Sequence, residues 1–150
     1  MNFTPREEMV TANGEQCDSM FEVNVVNDLI RRGVSYVFHP EPIAYHRPVR
    51  GGFCKDCDSN KVRKSAMYQA DLYLPLSDIY VELKGGTMNQ SSRSRLADVA
   101  RAGNTLYFLF RQDRKLSKLS KTRYSAWAER YKCPWHVGNT IPKEWTGDNR

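Results

Sequence analysis

No stretch of this chain approaches the run of about eighteen apolar residues that a membrane-spanning helix needs. Nor does an apolar signal-peptide core stand near its start, so a soluble, intracellular protein is expected. Internal repeats and low-complexity tracts are also absent, which excludes a solenoid. The 150 residues leave room for one hydrophobic core and little for a second unit. Histidine is scarce, with three residues, and cysteine is limited to Cys17, Cys54, Cys57 and Cys133.

Positive charge, by contrast, is abundant and localised. The chain carries a net +6, and between residues 111 and 132 eight cations (Arg111, Arg114, Lys115, Lys118, Lys121, Arg123, Arg130 and Lys132) face only Asp113 and Glu129, so this segment holds the whole excess. A basic stripe of this kind attracts a phosphate backbone; the alternative is a merely solvated charged loop.

Hydrophobic periodicity gives an α/β order. Residues 1–16 are polar and aperiodic and are expected to be a mobile tail, leaving 17–150 as a single domain. Phe21, Val25, Val26, Leu29 and Ile30 recur at helical spacing from Ser19 to a stop at Gly33. A strand is predicted over 34–39. Pro40, Pro42 and Pro48 then break the chain, and 47–66 reads as a polar inserted loop. A strand hairpin follows over 68–84. A helix containing Leu96, Val99 and Ala100 ends at Gly103, and an apolar strand over 105–110 should run parallel to 79–83 through a crossover. A further helix is predicted over 124–131, with Tyr124, Trp127 and Tyr131 in its core face, and a short-stranded or irregular end over 133–145.

The hairpin carries the chemistry. Side chains alternate faces along a strand, so Glu82 and Lys84 point one way while Ile79, Val81 and Leu83 point the other. Asp71 lies opposite Ala70, Leu72 and Leu74 in the same alternation, and Pro75-Leu76-Ser77-Asp78 supplies the turn. Two carboxylates and a lysine on paired strands suit metal-assisted phosphodiester hydrolysis. Hard oxygens hold Mg²⁺ or Mn²⁺, and the lysine orients the attacking water or offsets charge on the phosphorus centre. The same residues also fit a strand-edge Asp beside a surface Glu/Lys pair.

Glu22 has two readings. Ser19-Met20-Phe21-Glu22 fits a capping box, in which the glutamate reaches back to the start of the helix. Glu22 also borders the apolar face through Val26 and Leu29 and so could turn towards the sheet.

The order Ser-x-x-Glu at a helix start, a terminating Gly, a strand, Tyr68-x-x-Asp71-Leu72 and Ile79-Tyr80-Val81-Glu82-Leu83-Lys84-Gly85 resembles the phage endonuclease I family of Holliday-junction resolving enzymes, within the PD-(D/E)xK nuclease superfamily. The likeness runs on through the strand ending at Phe110, Arg114-Lys115-Leu116-Ser117-Lys118 and Ile141-Pro142-Lys143-Glu144-Trp145. It implies a restriction-endonuclease-like mixed β-sheet flanked by helices and a Mg²⁺-dependent endodeoxyribonuclease. The catalytic set it implies is Glu22, Asp71, Glu82 and Lys84, with Asp71, Glu82 and Glu22 as the Mg²⁺ or Mn²⁺ ligands. Phosphate contacts fall to Arg111, Arg114, Lys115, Lys118, Lys121 and Arg123. The resemblance further implies a four-way DNA junction as substrate, a cytoplasmic, phage-encoded enzyme in a bacterial host, and an intertwined homodimer whose helix glutamate serves the partner's site. The alternatives are a site-directed or homing-type nicking endonuclease on the same domain, and a non-catalytic zinc-stabilised nucleic-acid-binding protein.

The chain departs from the family in the inserted loop, which carries Cys54 and Cys57, while Cys133-Pro134-Trp135-His136 stands near the end. Together these are the ligand inventory of a Cys₃His structural zinc site that would clip the insertion to the C-terminal segment. A reduced thiol pair, a Cys54–Cys57 disulfide and an unrelated core Cys and His are the other readings. His39 and His46 read as loop histidines, with DNA contact or general-base work as the alternative.

Overall fold

Met20–Arg31 forms α1 because its apolar residues fall on one stripe and both ends are capped. The Ser19 Oγ accepts the Glu22 N–H at 3.2 Å, and Gly33, at φ +69°, ends the helix as the sequence predicts. The computed structural model describes residues 4–48 and 63–148. Cys54 and Cys57 therefore lie outside the described residues, as does most of the inserted loop.

The chain is mixed α/β. A five-stranded sheet has the order β1 (Val37–Phe38), β4 (Leu72–Leu74), β5 (Ile79–Lys84), β6 (Leu106–Phe110), β7 (Trp135–Val137). The β1–β4 and β4–β5 pairs are antiparallel, whereas β5–β6 and β6–β7 are parallel. The expected parallel crossover is present, with α2 (Gln90–Arg101) between β5 and β6. A separate two-stranded ribbon pairs β2 (Ile43–Pro48) with β3 (Arg63–Tyr68).

Helix α1 packs through Phe21, Val25, Val26 and Leu29 against Leu72, Leu74, Val81, Leu83 and Leu109. The other face of the sheet presents Phe108 and Phe110 to α2, to α3 (Tyr124–Arg130) and to Tyr45 and Tyr68 of the ribbon. Each fully buried Leu or Phe contributes about 1.5–3 kcal/mol, so these two apolar layers supply the main driving force. The aromatic core of Tyr124, Trp127 and Tyr131 is where the helical spacing put it.

Three expectations are corrected. Residues 4–18 are not a loose tail: Cys17 is fully buried, Thr11 is buried, the Ala12 N–H donates to Asn27 Oδ1 at 2.8 Å, and Tyr36 Oη donates to Glu15 Oε1 at 2.6 Å. The segment lacks periodicity because it is held by backbone and side-chain hydrogen bonds rather than by an apolar stripe. The stretch after Pro42 is not broken, since Pro48 sits at the end of β2, where a missing N–H costs little. The ribbon strands thus take both flanks of the inserted loop 47–66. Finally, the continuous strand expected over 68–74 is interrupted at Gln69-Ala70-Asp71, so Tyr68 and Leu72 belong to different sheets.

Candidate active site

The site lies at the end of β5 towards which Glu82 and Lys84 point. In an antiparallel pair, directly opposed residues share a face. The β4–β5 register, Leu72 to Val81 and Tyr73 to Tyr80, extends one step further to set Asp71 opposite Glu82. Asp71 Oδ2 accepts the Leu83 N–H at 2.7 Å, which fixes its carboxylate across the strand pair. Lys84 follows Glu82 on the same face and its Nζ lies 3.0 Å from Glu82 Oε2.

Burial makes this pairing consequential. Glu82 is only 5% exposed, and its other oxygen accepts the hydroxyl hydrogen bond of Tyr68. Burial, and then the charge of Glu82, holds the Asp71 carboxyl well above the usual carboxylate range, against the opposing Leu83 N–H and Lys84. Burial likewise pushes Tyr68 up, reinforced by Glu82. Burial, more than uncompensated charge, thus favours the protonated forms of Asp71 and Tyr68.

Of the two readings of Glu22, the cap is the one its hydrogen bonds show, and among the described residues it is not gathered with Asp71 and Glu82 into a three-carboxylate metal group. The cap is present in a variant form, with Glu22 Oε2 accepting the Asp18 N–H at 2.9 Å rather than that of Ser19. Burial raises the Glu22 carboxyl, the Asp18 N–H lowers it, and Glu82 adds a further upward push. Glu22 thus lies in the field of the carboxylate pair of its own chain. Helix α1 reaches this end because Gly85 has no side chain: a Cβ there would meet Phe21 Cδ1 at 2.9 Å.

His39, a weak signal in the sequence, borders the same cluster. Its φ is +46°, unusual for a non-glycine residue, and its N–H donates to the Asp71 carbonyl at 3.0 Å. The Gln69 side chain ties down the His39 and Pro40 carbonyls, and the ring stacks on Phe38 at 3.9 Å. His46 is instead exposed on the ribbon, 3.4 Å from Ser65 Oγ. Tyr68 is the site residue that sequence reasoning missed. Its only trace is its place at the head of Tyr68-x-x-Asp71, and no periodicity connects it with Glu82.

The phosphate-binding candidates gather in the β6–α3 connection. Arg111, Arg114, Lys115, Lys118, Lys121 and Arg123 are all exposed. Its root touches the site, since the Arg111 N–H donates to the Lys84 carbonyl at 3.0 Å. Arg130 and Lys132 lie elsewhere, lining with Arg101 an open cleft of about 780 Å³ at the opposite end of β6. There Arg101 and Arg130 end α2 and α3, where cations offset the helix dipole, apart from the Asp71, Glu82 and Lys84 cluster.

The zinc set is not assembled by what is described. Cys133 is buried with Phe108, Trp127 and Ala128 on one side of the sheet, its thiol directed to the Tyr131 carbonyl at 3.6 Å. His136 pairs in register with Leu109, which faces the other side, and its ring lies 6.3 Å from that of Trp145. The period of two along β7 and its approach thus separates the residues that the Cys-x-x-His spacing would join. Among the described residues no group of three His, Cys, Asp or Glu is gathered to hold a metal ion. Asp71 and Glu82 still fit Mg²⁺, which is commonly held by one or two carboxylates together with substrate phosphate.

A scan against protein-family models matches no family, and a search of the curated proteins finds no match.

Proposed function

We propose that this protein is a metal-dependent, structure-selective DNA endonuclease with a restriction-endonuclease-like fold, acting on four-way junctions. The observation that carries the reading is Asp71 set opposite Glu82 with Lys84 at 3.0 Å, on the strand whose carbonyl anchors the basic loop. Asp71 and Glu82 would hold Mg²⁺ or Mn²⁺, with Glu22 within their field. The ion supplies Lewis acidity at the scissile phosphate and a more acidic bound water. Lys84 orients the incoming water and offsets charge on the phosphate oxygens. Tyr68 fixes the Glu82 carboxylate, and the lysines of 111–123 hold the DNA backbone against the site. A homodimer, with one site for each of two strands, fits the two-fold symmetry of a junction.

Incubation with Mg²⁺ and matched junction, nicked, linear and single-stranded DNAs, with the cuts mapped, tests the reading. Paired cuts flanking the branch point support it. Nicks in the linear duplex at one sequence favour a site-directed enzyme, and intact DNA in every arm refutes both. Light scattering tests the dimer: a fully active monomer rules it out.

A further inference from the structure

The phosphate-binding loop carries one residue that phosphate contacts leave over. Leu119 is 97% exposed, more than any other large apolar side chain among the described residues. It does not sit on a frayed end. The Leu116 N–H donates to the Thr122 carbonyl at 2.9 Å, Tyr124 N–H to the Arg114 carbonyl at 2.8 Å, and Lys115 and Arg123 form a bridge. The Ser120 N–H closes the turn on the Ser117 carbonyl at 3.2 Å. Arg93 Nη1 then pins the loop to α2 through the carbonyls of Met88 and Leu116, at 2.7 and 3.3 Å. The leucine is therefore held out at the tip of a tied loop.

Its surroundings select the partner. Residues 114–123 include no acidic side chain; exposed Lys118 and Lys121 flank Leu119 in sequence, and exposed Lys115 and Arg123 stand at the bridge that closes the loop. A single leucine buries far too little area for a stable protein interface, which needs about 1,200 Å² or more. A polyanion with an apolar interior suits both the cations and the leucine, and the loop's root on Lys84 aims that partner at the carboxylate pair. DNA has this build, with stacked bases behind two rows of phosphates. Leucine is among the side chains that proteins insert between base steps to kink a duplex.

We propose that Leu119 is a wedge that enters the DNA base stack while the flanking lysines grip phosphates, so that the loop reads deformability as well as charge. This inference rests on the endonuclease reading for its substrate and is tested apart from cleavage. 2-Aminopurine is placed at successive positions of a four-way junction and of a matched linear duplex, and the protein is added without divalent metal while anisotropy records binding. The wild type should raise fluorescence at one or two positions. Leu119→Ala, at a side chain outside the core, should keep its melting temperature, lose that rise and bind the junction about tenfold more weakly, and Leu119→Met should restore the rise. An equal rise with Leu119→Ala, or bound DNA with no rise at any position, overturns the wedge. So does a loss of binding to phosphatidylserine vesicles with DNA behaviour unchanged, which would make the loop a membrane contact. Unstacking without cleavage in Mg²⁺ would refute the endonuclease and leave the wedge standing, whereas cleavage without unstacking would do the reverse.

Discussion

Tyr68 donates its hydroxyl hydrogen bond to Glu82, joining the last residue of the β2–β3 ribbon to the central strand of the other sheet. Lys84 holds the second Glu82 oxygen, so the carboxylate is oriented from two sides. In the proposed role of Glu82 as a metal ligand, a carboxylate fixed in this way depends on its partners as well as on its own charge.

Tyr68→Phe should therefore lower cleavage by about 10- to 100-fold and raise the Mg²⁺ concentration needed for half-maximal rate. The ring still fills its place in the core, so the melting temperature should change little. Titrating Mg²⁺ against cleavage rate, alongside direct Mn²⁺ binding, checks this; an unchanged metal requirement would make Tyr68 purely structural.

Asp71→Asn, Glu82→Gln and Lys84→Ala should each reduce cleavage by about 10² or more while DNA binding persists. The first two remove charge at nearly constant shape, and the third removes the only cation within 4 Å of Glu82 among the described residues. Single-turnover assays with saturating enzyme separate chemistry from binding. Wild-type rates in any one variant would displace that residue from the site.

The pH dependence of stability has a definite sign. Burial and Glu82 raise the folded-state pKa of Asp71, and burial raises that of Glu22. A carboxyl whose folded pKa exceeds its unfolded value of about 4 keeps its proton more readily when folded, so stability is greatest below that value and falls as pH rises through the raised one. Metal-free Asp71→Asn should thus melt higher than the wild type at pH 8 and no higher at pH 4. Mg²⁺ should stabilise the wild type at pH 8 more than the variant. Equal melting curves at pH 8 would show that Asp71 is already compensated.

Replacing Lys115, Lys118 and Lys121 together by Ala should flatten the dependence of log affinity on log salt by up to about 0.9 per lost phosphate contact. Fluorescence anisotropy from low to moderate salt measures the slope. An unchanged slope would place the phosphates elsewhere.

Burial pushes the Cys17 and Cys133 thiols up to about 11, leaving little thiolate at neutral pH. Iodoacetamide at pH 7.5 should label neither in the native protein and both after unfolding, as read by peptide mapping. His136→Ala should change neither zinc content nor melting temperature. Zinc lost with His136 would restore the four-residue metal site.

Much of the site was legible because strand alternation is local. A period of two places Glu82 with Lys84, turn residues at 75–78 reverse the chain, and Asp71 follows onto the same face. Helix α1, the crossover and the aromatic face of α3 were legible for the same reason, each written in spacing over a few residues. Glu22 stood between two readings in the sequence because the group that satisfies it, the Asp18 N–H, is local, whereas Glu82, whose charge opposes its ionisation, is distant in sequence. Tertiary structure decided what no period encodes. Tyr68 meets Glu82 only because the ribbon folds over α2, and Cys133 and His136 part because the sheet divides them. The segment 4–18 is ordered because it finds polar partners on α1 and Tyr36. Local pattern fixes which way a side chain points along its own element; which distant group it meets depends on how the elements pack.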